Sequence, residues 1–81
     1  MEATEATQTY LVECYLPGIG REDVESAGRR AVEASAALRS EGCTVEYVGA
    51  LLVPADEVVF HVFASACAGA VREASVRAAV V

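Results

Sequence analysis

Two runs of β-forming residues, "CTVEYVGALLVP" at 43–54 and "EVVFHVFA" at 57–64, meet almost end to end at Pro54-Ala55-Asp56. A connection that short permits only an antiparallel hairpin, because a parallel return needs a crossover of a dozen residues or more. Gly49 interrupts the first run and predicts a bend there. Everything else in the chain has to be arranged around this hairpin.

Upstream, "TYLVECYL" at 9–16 reads as another strand and stops at Pro17-Gly18. Glu22 and Asp23 then stand where the first turn of a helix welcomes negative charge. Val24, Ala27, Gly28, Ala31, Ser35 and Leu38 recur at three- and four-residue spacing, and Gly42 is a natural stop. After the hairpin, Ser65 suits the N-cap of a second helix whose inner stripe is Cys67, Val71, Ala74 and Ala78. The order β-α-β-β-α is an α+β, split βαβ arrangement of the ferredoxin-like kind, an antiparallel sheet with two helices on one face and the fourth strand missing. Residues 1–8, acidic and polar, read as a disordered lead-in, and 9–81 as a single domain.

At 81 residues the core is small, and self-association would add burial that the single chain lacks. The net charge of −6, with no basic cluster, excludes nucleic acid as a natural partner. No stretch is apolar for long enough to span a membrane, and the N-terminus has no secretory signal pattern, so a cytoplasmic location is expected. The three cysteines, Cys14, Cys43 and Cys67, are too widely spaced for a metal clip and odd in number, which favours free, packed thiols. Gly18-x-Gly20 is followed by Asp23 where a dinucleotide fingerprint needs glycine, and no serine-nucleophile motif is present.

The only histidine, His61, sits inside the most hydrophobic run. Residues alternate sides along a strand. Tyr10, Val12, Cys14 and Leu16 form a clean apolar row, as do Val58, Phe60 and Val62, and these rows are expected to face the helices. Glu13 and His61 then fall on the helix-free face of two adjacent central strands, with Leu11, Tyr15, Val59 and Phe63 around them and a row of the second strand carrying Tyr47 or Glu46. Such a face is too apolar to stay wet, so a second copy, a ligand or both should cover it. Glu13, Tyr15, Tyr47, His61 and Phe63 are thus the candidate ligand-binding residues, with Glu13 and His61 the candidate metal ligands.

Three roles fit the pair: a transition-metal site completed by a partner subunit, a general base in a cofactor-independent cyclase or isomerase with a tyrosine stabilising an oxyanion, or a satisfied polar pair in a structural dimer. The leading expectation is a dimeric binding protein for a small ligand or metal.

The pieces "YLVECYLPG", "YVGALLVPADEVVFHVF" and "VREA", in this order and spacing, resemble a family of small bacterial proteins named for a nickel-responsive actinobacterial member. The resemblance spans residues 10–79 and implies a ferredoxin-like fold, a homodimer and a nickel-like divalent cofactor. Histidines found in many such proteins match Gly49 and Ala74 here, and the family's fourth strand has no counterpart in this chain.

Overall fold

The computed structural model describes residues 6–80. The elements are β1 (Gln8–Tyr15), α1 (Arg21–Ser40), β2 (Val45–Val53), β3 (Val58–Ser65) and α2 (Ala68–Ala78), with a single 3-10 turn at Pro54–Asp56. The three strands form one antiparallel sheet in the order β1-β3-β2, the ferredoxin-like α+β arrangement with three strands. The lead-in expected at 1–8 lies mostly outside the described residues, and Gln8 already belongs to β1.

Each helix ends in the same way. The Cys43 and Gly42 amides donate to the Leu38 and Arg39 carbonyls, closing α1 with Gly42 at φ 97°. The Val80 and Ala79 amides repeat the pattern on Ser75 and Val76, but here Ala79 takes the left-handed conformation at φ 58°. Ala27, Ala31, Ala34, Ser35 and Leu38 of α1 are buried, as are Ala70, Val71, Ala74, Ser75 and Ala78 of α2. These stripes are mostly small residues, so the two helices lie close to one another and to the sheet. The closeness has a cost, since the Ser35 and Ser75 hydroxyls are buried with no hydrogen-bond partner.

Ser65 does not cap α2. It ends β3, where its hydroxyl lies 2.8 Å from the Thr44 carbonyl and 2.9 Å from that of Cys67, and accepts the Cys67 amide. Cys67 takes the N-cap position and is exposed, so it is not a packed thiol, whereas Cys14 and Cys43 are half-buried and all three are free. At the far end of the sheet, Glu57 turns the hairpin at φ 55°. Its carboxylate accepts the Gly18 amide at 2.8 Å and its carbonyl accepts the Leu16 amide, tying the β1–α1 loop to the hairpin tip.

The register of the sheet decides where the site lies. Opposite residues share a face, and β1 pairs Tyr10 with Phe63, Val12 with His61 and Cys14 with Val59. The row Val59, His61, Phe63 and Ser65 is therefore the one beneath the helices, with all four residues at most 1% exposed. The alternation expected for β1 is correct, but the one expected for β3 is reversed. Between Tyr47 and Gly49 a bulge at Val48 switches the side of β2, so Tyr47 faces the helices while Gly49, Leu51 and Val53 share the open face with Phe60 and Val62.

Candidate ligand cleft at His61

His61 is held inside by Tyr47. The register sets Tyr47 beside Phe63, one step along the helix face from His61, and its ring meets Phe63 edge-on with centroids 5.2 Å apart. Its hydroxyl lies 2.9 Å from His61 Nδ1. Gly28, in the middle of α1, leaves room above, because a Cβ there would stand 3.6 Å from the tyrosine ring and hydroxyl.

Both partners are neutral near pH 7. Burial pushes the Tyr47 phenol above its ordinary range, and burial together with the nearby Arg30 charge pulls the His61 imidazole below its own. A neutral phenol has a proton to give and a neutral imidazole has one nitrogen to receive it. With Tyr47 donating to Nδ1, the ring proton resides on Nε2. Among the described residues nothing hydrogen-bonds Nε2.

His61 also lines a cleft of about 160 Å³ between the sheet, α1 and the end of α2, a cleft that Tyr47 does not reach. Nδ1 is taken by Tyr47, so Nε2 is the ring nitrogen left without a hydrogen bond among the described residues. Leu16 and Ile19 bring one apolar wall from the loop after β1, Val59 another from β3, and Ala79 and Val80 a third from the turn that closes α2. From α1 come Asp23, Ser26 and Arg30. Arg30 is exposed, but two contacts fix it: Nε donates to the Ala78 carbonyl at 2.7 Å and Nη1 to the Ser26 hydroxyl at 2.8 Å. The first places a cation at the C-terminal end of α2, where it offsets the helix dipole. Asp23 is occupied as a cap, its Oδ2 accepting the Gly20 amide at 2.9 Å.

The candidate residues divide between the two faces. Tyr47, His61 and Phe63 come together beneath the helices. Glu13 and Tyr15 lie on the open face, Glu13 opposite Phe60 and Tyr15 opposite Val58. Glu13 and His61 therefore sit on opposite sides of one sheet and cannot ligate a common metal within the chain. A partner subunit laid on the open face would not bring a ligand to His61 either, because the sheet stands between them. Among the described residues no group of three or more His, Cys, Asp or Glu side chains is placed to hold a metal ion. The face of the sheet with no helices keeps Leu11, Tyr15 and Leu51 each more than 60% exposed, beside half-buried Phe60 and Val62.

Arg30, Cys14 and Asp23 were not singled out as site residues by sequence reasoning. Arg30 sits in an arginine pair on a charged helix surface that gives no sign of reaching across to α2. Compared with protein-family models, with curated proteins and with solved structures, the chain matches none. No described helix is long and apolar enough to cross a membrane.

Proposed function

We propose that this chain is a small-ligand-binding protein acting as a homodimer, with the ligand in the cleft at His61 and the partner subunit on the helix-free face. The observation that carries the binding role is the state of His61. The His61 side chain is buried with Nδ1 held by Tyr47, while its other ring nitrogen has no hydrogen bond among the described residues, and the residue lines the cleft.

The dimer rests on the open face. Leu11, Tyr15, Leu51, Phe60 and Val62 form an apolar surface continuous across three strands. A net charge of −6 disfavours an anionic membrane as its cover, while a second copy offers the same apolar surface. A two-fold axis running along β3 would lay β1 of one subunit over β2 of the other. That arrangement keeps the two Glu13 carboxylates on opposite edges and avoids burying like charges together.

A native mass spectrum of protein purified without a metal-affinity tag tests both parts. The expected result is a dimer retaining a small adduct that His61→Ala loses. A monomer at micromolar concentration contradicts the covered face, and an adduct unaffected by His61→Ala contradicts the cleft.

One observation favours a second reading, a cofactor-independent isomerase or cyclase with His61 as general base: the imidazole is kept neutral at physiological pH. That chemistry needs a lone pair on Nε2, so Nδ1–H would have to donate to the Tyr47 oxygen instead. The ¹⁵N shifts of the single imidazole separate the two tautomers.

A further inference from the structure

We propose that the cleft takes a short-chain monocarboxylate, its carboxylate received by Arg30 and His61 Nε2–H and its alkyl chain laid on Leu16, Ile19, Val59 and Val80. The inference rests on the binding role just assigned to the cleft and names the class of ligand.

The donors set the charge. A guanidinium has five N–H groups in a fixed fork, and Arg30 uses one at Ala78 and one at Ser26. No carboxylate among the described residues lies within ion-pair distance of it; the ion pairs present join Arg77 to Glu41 and Glu73. Its remaining donors are free for an anion, and an Arg fork is shaped for a carboxylate. In the tautomer with Tyr47 donating to Nδ1, the imidazole adds a neutral Nε2–H donor.

The rest of the cleft sets the body of the ligand. Its other walls are largely apolar, and its volume of about 160 Å³ is comparable with a cavity of about 150 Å³ that accepts benzene. A chain of about four to six carbons is of that size. Asp23 also lines the cleft, its Oδ2 held by the Gly20 amide, and Arg30 is the only Arg or Lys among the lining residues, so no second cation is present to receive another carboxylate. One anionic end and one apolar end are what this lining accommodates.

The test uses the full chain and its single imidazole as reporter. ¹⁵N-edited spectra are recorded while sodium butyrate, sodium hexanoate, butyramide or sodium succinate is added at constant ionic strength. Butyrate and hexanoate should saturate the His61 ring shift with a dissociation constant near 1 mM or below, about −4 kcal/mol. Butyramide and succinate should bind at least tenfold more weakly. Arg30→Gln should weaken butyrate at least tenfold while Arg30→Lys retains part of it, with the backbone spectrum confirming that both variants are folded. Equal saturation by butyramide would overturn the anion assignment and leave a binding cleft in place. Succinate binding more tightly than butyrate would overturn the monocarboxylate assignment, and no saturable shift with any carboxylate would overturn the proposal outright. The binding role itself would fail only if the natively retained adduct were also independent of His61.

Discussion

The two faces of the sheet use similar apolar residues and meet different fates. Beneath the helices, Val45, Val59 and Phe63 are at most 1% exposed, and the one polar ring among them is anchored through Nδ1 by Tyr47. On the other side Leu11, Tyr15 and Leu51 remain mostly exposed. Along β3 the outward row Val58, Phe60, Val62 is wholly apolar, while the inward row contains a histidine and a serine. Apolarity alone therefore does not choose the covered side. The inward row wins because polar partners await it there: Thr44 and Cys67 for Ser65, and Tyr47 for His61 Nδ1. An outward row with no polar atoms at the centre of the sheet is what a further apolar surface can cover.

The sharpest way to break the comparison is to delete the same ring from each face. Phe63→Ala should cost about 3–5 kcal/mol, as for a fully buried aromatic, enough to leave a small domain largely unfolded. Phe60→Ala should cost a dissociated subunit about 1 kcal/mol and act mainly by weakening self-association. Urea denaturation at several protein concentrations measures both, and equal losses in dilute solution would show that the faces are not distinct. The tyrosines give a smaller contrast. Tyr47→Phe should destabilise by about 1–3 kcal/mol because His61 Nδ1 loses its buried partner, while Tyr15→Phe should stay within about 0.5 kcal/mol. Smallest is Gly28→Ala. The added methyl meets Tyr47 at an ordinary 3.6 Å, so the gain in helix propensity, about 1 kcal/mol, should appear as a higher melting temperature. A fall instead would mean that Tyr47 has no room to spare.

The order of elements was legible because each boundary carries a local signal: Pro17-Gly18, the acids at Glu22 and Asp23, Gly42, and the turn at Pro54. The inner stripe of α1 and the inward row of β1 were legible for the same reason, one face being visibly more apolar. What could not be read was the side of β3. Both of its rows are mostly apolar, and no hairpin links it to β1, so no turn fixes that register; a wrong parity sends every side chain to the other face. Polarity alone places the ring on the outward row. The signal that could have corrected this was Tyr47, an aromatic hydroxyl able to satisfy a buried imidazole, but the bulge at Val48 obscures its side. Arg30 was harder still, since its contact with Ala78 spans 48 positions and depends on how the helices dock.

The most direct test of this placement is the pH titration of the only imidazole, followed by its ring protons. Beside Glu13 on an open face, His61 would titrate above its ordinary value of about 6.5, favoured as a cation. Beneath the helices, burial and the Arg30 charge lower its pKa, so charging it opposes the fold. The resulting stabilisation is fully present above about pH 6.5 and is lost as pH falls through the lowered folded value. The account expects a midpoint below 6.5, with stability declining toward acid more steeply than in His61→Gln. A midpoint at or above 6.5, with no difference between the two proteins, would contradict it.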